Sequence, residues 1–203
     1  MEPKGITASL GMEQKSAAPN KTTVENFKFA ILSRIITVEY KTRTTGVTTH
    51  TVVVKALSDF VSHYDGRYHV RDESTLKVKT PHKGLTYGEI AFGLKKFFVE
   101  FEHPLKKDQT ERLVMEVSWK HKQQADHPEV AMTTLCPTDV LKFIVQLPHN
   151  DHVVKTEGIV RVHHGAHDHI SIVDIPLTGP AYIWEVLQPV DGLYYQIKWK
   201  WSH

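Results

Sequence analysis

Hydrophobic and polar residues alternate with a period of two over much of the chain, the pattern of strands that bury one face. FKFAILSRIITVEYK, from Phe27 to Lys41, is rich in β-branched and aromatic residues. TTHTVVVKA follows a Thr-Arg-Thr-Thr-Gly turn, so the two stretches predict a hairpin. ERLVMEVSWKH places Leu113, Met115, Val117 and Trp119 on one face, and VVKTEGIVRVHH, HISIVDIP and AYIWEVLQP read as three further strands. In LYYQIKWKWSH the period is strict: Leu193, Tyr195, Ile197, Trp199 and Trp201 face one way and Tyr194, Gln196, Lys198 and Lys200 the other.

Two stretches carry a different period. Ala56, Leu57, Phe60, Val61 and Tyr64 recur on one helical face, ending at the Asp65-Gly66 turn signal, and predict a short helix. Thr86 and Glu89 have capping-box spacing, and Ile90, Leu94, Phe97, Phe98 and Phe101 follow at helical intervals up to Pro104. This predicts the main helix, from Thr86 to Phe101. CPTDVLKFIVQLP fits either a short helix started by Pro137 or Thr138 or a strand from Leu141 to Leu147. Residues 1–24 hold only isolated apolar side chains and read as a flexible arm. The expectation is therefore an α+β fold: one sheet-rich domain over 25–203 with two or three helices, preceded by the arm.

Composition narrows the function classes. At 203 residues, 40% hydrophobic and 24% charged, the chain is neither disordered nor fibrous. A net charge of +2 is too small to coat nucleic acid without local patches, whereas protonating all 14 histidines would carry it from +2 to +16. The single cysteine, Cys136, excludes an intramolecular disulfide and any thiolate cluster. The N-terminal run lacks a basic segment leading into an apolar one, so neither a secretory signal nor a membrane anchor is expected there.

The densest chemistry is His163-His164-Gly165-Ala166-His167-Asp168-His169, with His149 and His152 upstream. A turn at Gly165 could fold His163 or His164 toward His167 and His169, giving three imidazoles for a tetrahedral metal. The same residues suit a solvated hairpin tip that titrates near pH 6.5 and acts as a pH-sensitive patch. The spacing departs from the metallo-β-lactamase pattern and lacks the later Glu of cupins, so no resident metal is expected. Lys41 and Arg43, with Lys55 and His50, flank the first hairpin, and Lys77, Lys79, Lys83, Lys95 and Lys96 surround the main helix. These lysines and Arg43 are candidate contacts for a membrane headgroup or phosphate backbone. No phosphate loop, nucleophile elbow or zinc-protease helix motif occurs, and no catalytic residue and no cofactor is expected.

The aromatic strand from Phe27 to Val38, then Ser58-Asp59-Phe60-Val61-Ser62-His63-Tyr64-Asp65 closing a short helix, then an apolar helix with Tyr87, Ile90, Phe92 and Leu94, resembles the matrix proteins of rhabdoviruses over roughly residues 27–98. The resemblance implies a nonenzymatic virion component that self-associates as a homo-oligomer and bridges the viral nucleocapsid and an anionic membrane surface. It also implies nonspecific nucleic-acid contact and residence in the virion and host cytoplasm, at intracellular membranes. This N-terminus departs from the family: it is charge-neutral and has no budding motif. Two alternatives stand beside it, a small β-rich viral capsid protein and a zinc-dependent hydrolase built on the histidine cluster.

Overall fold

The computed structural model describes residues 27–69, 75–82, 85–91, 94–125, 128–148, 153–163 and 168–202. Fourteen strands run in chain order: β1 (Phe29–Thr42), β2 (Thr45–Ala56), β3 (Val61–His69), β4 (Thr75–Lys79), β5 (Leu85–Ala91), β6 (Leu94–Leu105) and β7 (Thr110–Lys120), then β8 (Glu129–Thr133), β9 (Val140–Gln146), β10 (Val153–Arg161), β11 (His169–Asp174), β12 (Leu177–Thr178), β13 (Ala181–Leu187) and β14 (Tyr194–Trp201). They make a seven-stranded sheet ordered β12-β13-β9-β1-β2-β7-β4, a four-stranded sheet β11-β10-β14-β8 and a three-stranded sheet β3-β6-β5. β1 and β9 pair in parallel, a geometry that requires a long crossover, and β2 to β8 supply it.

The β1–β2 hairpin forms where the alternation predicts it, and β2 carries one buried residue at every second position. β7 buries Leu113, Met115, Val117 and Trp119, again as its period requires. The stretch that fits two readings becomes β9, burying Leu141, Phe143 and Val145. One face of the seven-stranded sheet is covered by both smaller sheets, which creates two cores. In the first, Ile36, Val38, Phe143 and Trp119 meet Ile197, Trp199 and Trp201 of β14. Tyr40 lies edge-on to Trp119, Trp199 and Trp201 with ring centroids 4.7, 5.4 and 5.7 Å away, an arrangement that matches ring edges to ring faces. In the second, Ile31, Val52, Val54 and Leu113 meet Tyr64, Val99 and Phe101 of the three-stranded sheet.

The α+β expectation is corrected: among the described residues every regular element is a strand, and the fold is all-β. The short helix from Ala56 to Tyr64 is instead the end of β2, a turn, and the start of β3. The main helix is the β5–β6 hairpin, with Thr86 opposite Phe98 and Glu89 opposite Lys95. The physical reason is a second period in the same residues. Val99, Phe101 and Leu105 are buried at alternate strand positions of β6, and pairing with β3 and β5 satisfies the backbone on both sides. Pro104, read as a helix stop, sits where the β3–β6 register shifts between Val61 and His63, so its missing N–H costs no regular ladder bond. The rhabdovirus matrix resemblance required those two helices, so it falls with them.

Candidate functional site

Between the two cores the inward face of the large sheet carries a charge. Arg34 lies on β1 between Ile31 of one core and Ile36 of the other, opposite Val52 of β2 and Leu141 of β9, both fully buried. A β-bulge between Ile31 and Ser33 shifts the strand's parity and turns Arg34 inward with Ile36, Val38 and Tyr40. The half-buried guanidinium reaches both smaller sheets. Its Nη2 donates to the Tyr64 hydroxyl of β3 at 2.6 Å, and its Nη1 donates to Met132 Sδ of β8 at 2.9 Å. Nε is buried without a partner, and no ion pair among the described residues includes Arg34. A thioether is a weak acceptor, so a fixed positive charge faces the seam with no close carboxylate among the described residues, while Asp65 and Asp191 act from farther off on the same Tyr64 and Cys136.

The neighbouring titratable groups respond to that charge and to burial. His50 is a diagonal neighbour of Arg34 on β2; burial first, and the guanidinium second, push its pKa down to about 3, so the ring is neutral. Burial raises the Tyr64 phenol, and Arg34 partly opposes the rise. The free thiol of Cys136 is likewise raised by burial against the pull of Arg34, which leaves it protonated and weakly nucleophilic at neutral pH. Such a seam is better suited to hold an anion than to move a proton.

Two connecting segments frame it. Residues 134–139 are tied to β1 by Ile31 N–H donating to the Pro137 carbonyl at 2.8 Å and Asp139 N–H donating to that of Ile31 at 2.9 Å. They are tied to residues 188–193 by Gln188 N–H to the Asp139 carbonyl at 2.7 Å and by the Thr134 hydroxyl to the Val190 carbonyl at 2.6 Å. Leu135 and Val190 project from this rim at 52% and 61% exposure, whereas Leu187, opposite Val140 of β9, lies on the outer face of the sheet, away from Arg34. Apolar side chains thus stand in water on a hydrogen-bonded frame beside a half-buried cation.

The residues singled out in the sequence lie elsewhere. Lys41 is exposed, whereas Arg43 stacks over Trp201 at 5.1 Å and donates to the Ser202 carbonyl at 3.2 Å, fastening the end of β14 to the first hairpin. Lys77 and Lys79 are exposed on the edge strand β4, opposite Ser118 and Glu116. Lys95 and Lys96 belong to β6 in another sheet, and Lys83 lies outside the described residues. The helix that Lys77, Lys79, Lys83, Lys95 and Lys96 were expected to surround is a strand hairpin. Lys55 pairs with Asp108 at 2.8 Å, and His50 is buried rather than flanking a basic surface. His163 and His169 are exposed at the β10–β11 hairpin, while His149, His152, His164 and His167 lie outside the described residues. No group of three metal-ligating side chains occurs among the described residues. The sequence reading passed over Arg34 itself; its signal was a lone cation inside the apolar run FAILSRIITV.

No family model matches the sequence, and no curated protein matches it. Among solved structures, that of a putative protease from Parabacteroides distasonis ATCC 8503 superposes with a TM-score of 0.50 at 10% identity, over 85% of this chain and 40% of that one. An M1 zinc metallopeptidase from Deinococcus radiodurans aligns at 7% identity over 84% of this chain and 42% of that one, with a TM-score of 0.43. A mutant of that enzyme aligns at 8% identity with a TM-score of 0.44. The Parabacteroides likeness concerns the fold alone. The chain spans 40 to 42% of the length of these structures. The expectation of a viral matrix protein is corrected accordingly: it needed helices that are strands, and the all-β fold is shared with a chain described as a protease. The exclusion of enzymatic activity, drawn from the absence of known catalytic motifs and from the matrix reading, is corrected as well.

Proposed function

We propose that this chain is a ligand-binding β-domain that captures the carboxylate end of an apolar peptide at the Arg34 seam and serves a peptidase unit. The observation that carries the reading is the half-buried guanidinium with no carboxylate partner among the described residues. A ligand carboxylate replaces the thioether with a charge-assisted, two-pronged acceptor, the arrangement for which a guanidinium is shaped. The rim side chains Leu135 and Val190 supply apolar surface for the last residue of the peptide. The Parabacteroides chain, described as a protease, extends well beyond the part that this chain matches, which supports a role beside a catalytic unit.

Calorimetric titration with two tetrapeptides ending in leucine, one with a free carboxylate and one amidated, tests the reading. The acid is expected to bind and the amide to bind at least about tenfold more weakly, because a hydrogen bond to a charged group contributes about 1.5–3 kcal/mol. Arg34→Gln should remove the preference, and Arg34→Lys, which keeps the charge but not the fork, should fall between. Equal affinity for acid and amide, or an unchanged preference in a folded Arg34→Gln protein, refutes it.

A further inference from the structure

At the far end of the second core, two turns meet. The β2–β3 turn and the β6–β7 turn are locked together: Asp108 N–H donates to the Ala56 carbonyl, Ala56 N–H to that of Gln109, and Lys107 N–H to Asp59 Oδ1, each at 2.9 Å. On this rigid platform Phe60 is 82% exposed, and its φ of 64° is in the left-handed region that bulky side chains avoid. Leu57 beside it is 39% exposed, and its N–H is held by the Lys28 carbonyl at 2.9 Å. A turn selected for stability alone would place glycine or asparagine at such a φ and would not hold an aromatic ring in water.

The charges around the ring are net positive: Lys28, Lys55, Lys106 and Lys107 outnumber Asp59 and Asp108. Lys28, Lys106 and Lys107 are exposed and take part in no ion pair among the described residues. The nearby carboxylates are engaged: Asp59 accepts the Lys107 backbone N–H, and Asp108 pairs with Lys55 at 2.8 Å, which holds its carboxyl below the usual range. An aromatic tip projecting among lysines that outnumber the nearby carboxylates is complementary to the interface of an anionic bilayer, where the ring enters the headgroup boundary and the ammonium groups meet lipid phosphates and carboxylates. A protein pocket of matching shape could take the ring but would gain nothing from the surplus of lysines unless it were acidic itself.

We propose that Phe60, with Leu57, Lys28, Lys106 and Lys107, forms a contact tip that docks this domain on an anionic membrane surface. The tip is independent of the Arg34 seam, and the seam's failure to bind peptide would leave it standing.

Cosedimentation of the full chain with vesicles of phosphatidylcholine alone, and of phosphatidylcholine containing phosphatidylserine, tests the proposal. Binding is expected on the acidic vesicles only and should weaken as salt rises. Phe60→Gly should lower the partition coefficient about tenfold, the loss that follows from leaving one large apolar side chain out of the interface. The same variant should melt no lower than the parent chain, because glycine accepts the positive φ; Phe60→Asn, which also tolerates that backbone, gives a second measure free of unfolding. A Lys106→Glu, Lys107→Glu protein should bind weakly and lose its salt dependence. Equal binding to neutral vesicles, no binding to acidic ones, or a Phe60→Gly protein that binds like the parent overturns the proposal. So does sedimentation velocity showing that Phe60→Gly dissolves a self-associated species while vesicle binding is unchanged, since the ring would then dock on a second copy.

Discussion

Lowering the pH should destabilise this protein through one buried imidazole. His50 is 4% exposed on β2, with Ile36 and Met115 opposite it on the two neighbouring strands and Arg34 on the diagonal. Its pKa is pushed down to about 3 from 6.5, so the folded protein keeps the ring neutral while the unfolded chain takes up a proton below pH 6.5. The unfolded state then binds more protons than the native one, so stability is present in full above about pH 6.5 and is lost as pH falls toward 3. The slope is about 1.4 kcal/mol per pH unit, so by pH 5 the loss from this residue is about 2 kcal/mol. That is a large share of a domain's typical margin of about 5–15 kcal/mol. Urea unfolding followed by tryptophan fluorescence at pH 7.5, 6 and 5, on the parent chain and His50→Gln, isolates the effect, because the other histidines and carboxylates are common to both. The parent should lose about 2 kcal/mol more than the variant across this range. Parallel curves, agreeing within about 0.5 kcal/mol at every pH, would show that His50 is protonated or hydrated in the folded state and would refute the reasoning.

Two further outcomes follow from the packing. A Cβ on Gly158 would lie 2.8 Å from Trp184 Cδ2 and Cε2 and 3.0 Å from Val173 Cγ2, with the indole backed by Phe143 stacked at 5.7 Å; Gly158→Ala should cost about 1–3 kcal/mol in urea unfolding, and a Trp184→Leu background should absorb most of it. The Trp119 indole N–H donates to Thr48 Oγ1 at 3.0 Å in a buried site, so Thr48→Val should lower stability by about 1–3 kcal/mol by stranding the donor, while Thr48→Ser, read by thermal melting, should retain most of it.

The histidine with a resolved perturbation is His50, not one of the cluster at His163, His164, His167 and His169. His163 and His169 are exposed at the β10–β11 hairpin. His50 is perturbed because the strands around it exclude water. Nothing in the local residues Thr-Thr-His50-Thr-Val distinguishes it from a surface histidine on a hairpin.

Local sequence determined those elements in which one period and clear turn signals agree. β1, β2, β7 and β14 are legible because alternate residues are apolar and no competing helical stripe runs through them; strand existence there follows from the chain's own pattern. From Thr86 to Phe101 the same aromatic residues fit a helical face and an alternating one, and only the presence of β3 and β5 on either side, pairing the backbone of β6, decides for strand. The candidate site was illegible for the same kind of reason. Arg34 turns inward because of a bulge two residues earlier, and it becomes a charge at a seam because Tyr64 and Met132 arrive from different sheets, 30 and 98 residues away in the chain. Burial, charge isolation and the strained exposure of Phe60 are properties of what surrounds a residue, and that is set by long-range pairing that no local period encodes.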